Sequence, residues 1–162
     1  KACVEMGKVK TGALIVIERK ESLKDYERTG IEVDAVVTSQ LLVNIFEHNT
    51  PLHDGAVIVR GNRITYATCY LPLSDNLDLS KELGTRHRAG VGISEATDSM
   101  TVIVSEETGK ISIAYEGELE RNLNADEVKE KMRQLLNLNE EDNPKARRKK
   151  KVRKQGKEQT RK

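Results

Sequence analysis

The stretch GAVIVRGNRITYATCYL at 55–71 limits the fold more than any other part of the chain: two strand-like runs meet at Gly61-Asn62. That pair readily adopts the positive φ angles of a tight hairpin turn. The same scheme recurs in SMTVIVSEETGKISIAYEG at 99–117, with its turn near EETGK. An earlier apolar run, GALIVIER at 12–19, ends in charge and reads as a largely buried strand. In SQLLVNIFEHN at 39–49, Leu41, Leu42, Ile45 and Phe46 fall at helical spacing, and Ser39 is the expected cap. NADEVKEKMRQLLNL at 124–138 predicts an amphipathic helix, capped by Asn124 and acidic in its first turn. Two hairpins, a separate strand and helices between them predict an α/β (α+β) fold, a mixed central β-sheet flanked by helices. Neither GxGxxG nor GxxxxGK[ST] occurs, which disfavours a Rossmann or P-loop mechanism.

The core of such a sheet must be aliphatic, because the chain has four Tyr, one Phe and no Trp. A tyrosine outside an apolar run therefore counts for more. The net charge of +2 conceals an asymmetry: Lys145 to Lys162 holds eleven basic residues and one Glu, leaving a body at −8. A domain over 1–138 and a basic, disordered tail over 139–162 are expected. An acidic body argues against nucleic acid as a partner of the domain, while the tail suits any anionic surface, lipid included. Cys3 and Cys69 form neither a CxxC nor a zinc-ligand spacing, which fits a reducing compartment. The longest apolar run, ALIVI at 13–17, is far short of the roughly 20 residues a membrane span needs, so a soluble chain is expected. The chain opens at Lys1, and a span upstream would not be visible in it.

Three polar clusters lie at the ends of these apolar elements. In LHDGAV at 52–57, His53 and Asp54 stand at the entrance to a buried strand, and Gly55 lets a ligand approach the backbone. The same residue types are also common in plain turns. In GTRHRAG at 84–90, Gly84 and Thr85 precede Arg86, His87 and Arg88. Backbone N–H groups, a hydroxyl and two guanidinium forks near the start of a helix through HRAGVGISEAT suit polyphosphate. The alternative is a surface ion-pair network with Glu82 and Glu95. In VSEETG at 104–109, Ser105, Glu106 and Glu107 follow the strand TVIV. Acids on a turn are usually just solvated. One of them joining His53 or Asp54 would offer hard oxygens and an imidazole to Mn²⁺ or Mg²⁺ shared with phosphate oxygens. Jointly the clusters supply what phosphoryl-type chemistry on a nucleotide needs: charge stabilisation by metal and arginine, and a carboxylate for the attacking hydroxyl.

TGALIVIER, LHDGAV, CYLPLS, GTRHRAGVGISEATD and VSEETGKIS, in that order, resemble the diadenylate cyclase (DAC) domain, in particular the membrane-anchored bacterial type. The resemblance runs from about Lys10 to about Leu123. It implies condensation of two ATP molecules to cyclic di-AMP with release of two pyrophosphates, using Mn²⁺, Mg²⁺ or Co²⁺. It also implies a homodimer in which two domains face each other, each presenting one ATP. Matched by motif, Asp54, Gly55 and Ala56 form the DGA block at ribose and metal, with Asp54 helping to activate the 3′-hydroxyl. Gly84, Thr85, Arg86, His87 and Arg88 would hold phosphates, with Ser105 beside them. His53, Asp54 and Glu107 are the implied metal ligands, with Glu106 as the alternative to Glu107. Tyr70 and Leu71 match the block that packs on adenine; a core tyrosine at a strand end is the competing reading of Tyr70. Gly90 departs from the expected pattern, which has Ala there. Members of this type usually carry N-terminal membrane helices, so the parent protein is expected at the cytoplasmic face of the cell membrane. The competing functions are a catalytically idle module that binds ATP or a cyclic dinucleotide, and nucleic-acid binding through the tail.

Overall fold

A computed structural model describes residues 1–136. The chain divides into two compact units, Lys1–Val128 and Lys129–Lys162. The basic tail expected over 139–162 lies outside the described residues. In the first unit, seven strands, β1 (Ala13–Ile17), β2 (Ile31–Val36), β3 (Ala56–Arg60), β4 (Arg63–Cys69), β5 (Met100–Val104), β6 (Ile111–Tyr115) and β7 (Glu118–Leu123), form a single sheet in the order β2-β4-β3-β1-β5-β6-β7. Its centre is β1, parallel to β3 and antiparallel to β5. Every other neighbouring pair is antiparallel.

Both expected hairpins form. β3 turns into β4 (Arg63–Cys69) through Gly61 at φ +60, and β5 turns into β6 (Ile111–Tyr115) through Gly109 at φ +72. Near-continuous burial along β1, β3, β5 and β6 shows that the middle of the sheet is covered on both faces. On one face α4 (Thr85–Ala96) lays Ala89, Val91 and Ile93 against Leu14, Val16, Ile58 and Ile103. The glycine at 90 has a packing reason: a Cβ there would stand 2.8 Å from Ile103 Cδ1, so its absence lets the helix sit close to β5. α1 (Ala2–Lys8) packs on α3 (Ser39–Phe46) and on β5 and β6, burying Met6.

The helix of 39–49 is capped one residue earlier than expected. Thr38 is extended and its hydroxyl accepts from Leu41 N at 3.1 Å, while Ser39 is already helical. The helix α5 (Ala125–Leu135) starts as expected: Asn124 Oδ1 accepts from the amides of Asp126 and Glu127, and Glu127 accepts from Asn124 N in return. The structure adds α1, the short α2 (Lys24–Glu27), and the two edge strands β2 (Ile31–Val36) and β7 (Glu118–Leu123).

Far from the motif-bearing ends, Arg60 clamps the sheet. Its fork donates to both Glu18 oxygens at 2.8 and 2.9 Å, and its Nη2 also reaches Glu27 at 2.8 Å. Glu27, buried beside the sheet, takes a further bond from Thr65 Oγ1. Burial alone would raise the Glu18 carboxyl, but the Arg60 fork and the Leu23 amide outweigh it and hold the group below its ordinary value.

Candidate active site

The strand directions bring the motif clusters to one edge of the sheet. β3 begins there, next to the start of β1. The antiparallel neighbours β4, β5 and β7 end there. The result is a cavity of about 610 Å³ into which Asp54, Gly55, Tyr70, Thr85, Arg86 and Glu107 all face. Leu71, Gly84, His87, Ser105 and Glu106 complete the predicted residues on its wall. A volume of this size is typical of small-molecule sites.

Gly55 is at φ +85, and a Cβ there would lie 2.9 Å from the carbonyl carbon of Thr68. The crowding has a local cause. Ala56 pairs with Cys69 and Ile58 with Tyr66, so Ala67 and Thr68 together oppose Val57 as a bulge, with Thr68 at φ +56. This bulge carries β4 to Cys69 and Tyr70 at the cavity. Asp54 is exposed at the rim and accepts from Gly55 N at 3.0 Å.

Gly84 caps α4 with extended backbone and without a side-chain cap bond. The first amides of a 12-residue helix, Thr85 to His87, therefore open onto the cavity with their partial positive charge uncompensated by a capping oxygen. Arg86 does not pair with Glu82 or Glu95. Its Nη1 donates to Glu106 at 2.8 Å, its Nε is buried without a partner, and Glu95 instead accepts from Ser74 Oγ. His87 is buried; that burial, reinforced by Arg121 and Arg86 against the opposing pull of Glu107, lowers its pKa. A neutral imidazole at neutral pH follows, able to donate one N–H but bringing no charge. Arg88 lies on α4 away from the cavity wall, and its carbonyl accepts from Ser74 N at 3.0 Å.

Ser105 shapes the acidic turn: its Oγ accepts from the amides of Glu107 and Thr108 at 3.3 and 3.2 Å. Tyr70 is 67% exposed, so it stands at the mouth of the cavity and is not a core tyrosine. Ala56 is fully buried behind Gly55 and supports the strand.

His53 parts company with its neighbour. Its Nδ1 donates to the Thr50 carbonyl at 2.6 Å, its ring meets His48 edge-on at 5.6 Å, and it lines a second cavity of about 490 Å³. The structure thus places His53 apart from Asp54 and Glu107, and among the described residues no three His, Cys, Asp or Glu gather as a metal cluster. Arg121 and Asn122, from β7, line the nucleotide-sized cavity and have no counterpart in the sequence expectations. The signal for them was the pair Glu116-Gly117 after ISIAY, both at positive φ, which makes a third hairpin.

Comparison with known proteins agrees with this geometry. The family model described as DAC, DisA bacterial checkpoint controller nucleotide-binding, matches residues 1–119. The chain is 55% identical over 142 residues to a cyclic di-AMP synthase, CdaA, of Bacillus subtilis, covering 88% of this chain and 52% of that protein. It is 58% identical over 123 residues to a diadenylate cyclase of Listeria monocytogenes, covering 76% and 45%. The chain therefore spans about half the length of the curated relatives it matches. A crystal structure of a double mutant of DacA from Staphylococcus aureus superposes with a TM-score of 0.82 at 49% identity, covering 83% of this chain and 90% of that one. A structure from Bacillus cereus, called a hypothetical membrane spanning protein, follows at a TM-score of 0.73 and 45% identity, covering 76% and 60%. The fold, the cavity at the strand ends and the matched sequence together make this chain a member of the DAC family.

Proposed function

We propose that the chain is the catalytic domain of a diadenylate cyclase, converting two ATP molecules into cyclic di-AMP and two pyrophosphates. The observation that carries this reading is the uncapped start of α4, Thr85 to His87, opening onto the same cavity as the Asp54 carboxylate. The wall of that cavity offers amides and a guanidinium to a polyphosphate and a base to a hydroxyl. In each half of the reaction a ribose 3′-oxygen forms a bond to the α-phosphorus of the other ATP. The α–β phosphoanhydride bond breaks, pyrophosphate leaves, and the 3′-hydroxyl proton passes to Asp54. Thr85, Arg86 and His87 hold the phosphates in line, Ser105 adds a hydroxyl donor, and Tyr70 and Leu71 receive the adenine. Arg88, off the cavity wall, is left out of the phosphate-binding set on this reading.

One cavity of about 610 Å³ serves one nucleotide, so ring closure takes a second copy facing the first. A divalent metal (Mn²⁺, Mg²⁺ or Co²⁺) suits the hard oxygens of Asp54, Glu106 and Glu107. With no three-ligand cluster among the described residues and His53 turned to the second cavity, its remaining ligands would be phosphate oxygens and water. Bound there, it would supply positive charge to the phosphates and lower the pKa of the hydroxyl. No helix among the described residues is long and apolar enough to cross a membrane. Membrane attachment of the parent protein is supported by the Bacillus cereus neighbour's description as membrane spanning, and on this reading the domain lies at the cytoplasmic face.

Asp54→Asn tests the assignment, because it removes the basic charge and keeps the shape. Product formation is expected to fall on the order of 10²–10⁴-fold, with ATP affinity by calorimetry largely kept. Full activity in the variant would remove Asp54 from its role. An unaltered chain that binds ATP but forms no product would favour the idle binding module.

A further inference from the structure

Gly12 is buried just ahead of β1, yet nothing in its own backbone requires glycine. Its φ lies outside the left-handed region that sets Gly55 and Gly109 apart. What excludes a side chain is its neighbour. A Cβ at position 12 would stand 2.7 Å from Arg86 Nη1, 2.8 Å from Arg86 Cζ and 3.1 Å from Glu106 Cβ. Arg86 and Glu106 line both cavities, and their ion pair forms the partition between them, with Gly12 on the far side. The guanidinium is therefore held from behind by bare backbone and at one end by Glu106, with its buried Nε still without a partner.

We infer that Gly12 is a positioning residue of the active site. The missing side chain leaves the slot that the Arg86 guanidinium occupies, and this slot keeps the guanidinium at the nucleotide cavity. The two closest atoms are the far end of a long side chain, and Glu106 Cβ at 3.1 Å needs to give by only a few tenths of an ångström, so a methyl group at 12 turns the guanidinium away with little movement of the backbone. The inference rests on the reading of Arg86 as a phosphate ligand.

A double-mutant cycle on the full chain tests it, with ATP and Mn²⁺ as substrates and cyclic di-AMP as the readout. Gly12→Ala is expected to lower kcat/KM on the order of 10- to 100-fold, with the thermal midpoint close to that of the unaltered chain. In the Arg86→Ala background the same substitution is expected to cost nothing further, because the group it displaces is gone. An equal loss in both backgrounds overturns the inference, as does full activity of Gly12→Ala when Arg86→Ala is crippled. Unaltered kinetics in Arg86→Ala would instead refute the underlying reading of the arginine. Should Gly12→Ala lower the midpoint steeply, it is repeated with Arg86→Lys, whose ammonium has no Cζ or Nη1 in the slot. A restored midpoint supports the contact, and an unrestored one overturns it.

Discussion

Gly55→Ala should separate two costs that coincide at the mouth of the cavity. The first is conformational: at φ +85 an L-residue carries a penalty of about 1–2 kcal/mol. The second is steric. The new methyl would meet Thr68 C at 2.9 Å, Cys69 O at 3.0 Å and Thr68 Cα at 3.1 Å, all of them backbone atoms of β4. Backbone cannot swing aside as a side chain does, so β4 must shift, at roughly 1–3 kcal/mol for an overpacked site. The sum is about 2–5 kcal/mol, a large part of the stability of an ordinary domain. Gly61→Ala supplies the control: its φ is +60 and nothing lies within 4 Å of the added carbon, so only the conformational cost applies. Urea denaturation followed by circular dichroism measures both variants, with equal m-values as the condition for comparing them. The expected result is a loss for Gly55→Ala exceeding that for Gly61→Ala by about 1–3 kcal/mol. Equal losses would show that the approach of β4 to Gly55 is not as close as described, and with it would go the local reason for glycine in the Asp54-Gly55-Ala56 block.

Arg60→Met leaves Glu18 and Glu27 without their cation, and those side chains are only 12% and 9% exposed. Because the Arg60 side chain is itself 36% exposed, the loss at pH 7 should be about 2–3 kcal/mol, below the range for fully buried pairs. The pH dependence has a definite sign. In the unaltered chain the lowered Glu18 pKa contributes stability that is present above the ordinary carboxylate value of 4.5 and is lost as pH falls through the lower folded one. The variant lacks that contribution, so the difference between the two urea midpoints should hold above pH 4.5 and narrow as pH falls below it; a difference that stays constant down to the lowest pH at which both chains fold would refute the clamp. Tyr70→Ala removes a 67% exposed ring and should leave the thermal midpoint unchanged while weakening ATP binding by about 1–3 kcal/mol, the worth of one stacked base. Unchanged affinity by calorimetry would leave the adenine without this partner.

How much of this was legible in the sequence follows from where apolar residues were needed. β1, β3, β5 and β6 are buried on both faces and must be written in Ile, Val, Leu and Ala, so their runs stand out. The edge strands face no such demand. β2 reads IEVDAV, mostly exposed and bulged at Asp34, and β7 reads ELERNL, so neither shows a run. Missing β7 meant missing Arg121 and Asn122, whose place at the cavity depends on pairing with β6. The clusters at 54–55, 84–87 and 105–107 were legible because each sits at the end of a readable strand or helix, and antiparallel pairing folds those ends onto one edge. His53 shows the limit of adjacency: its ring turns to Thr50 and His48 while the next residue faces the nucleotide-sized cavity. Gly12 was invisible for a related reason, since the atoms that forbid a side chain there come from residues 74 and 94 positions away.

The decisive experiment is to incubate the full chain with ATP and Mn²⁺ across a series of protein concentrations and separate the products by chromatography. Two facing copies require cyclic di-AMP to rise more steeply than linearly with protein until the dimer saturates. Product strictly proportional to protein at every dilution would contradict the shared site, and no product from folded chain that binds ATP would contradict the cyclase assignment itself.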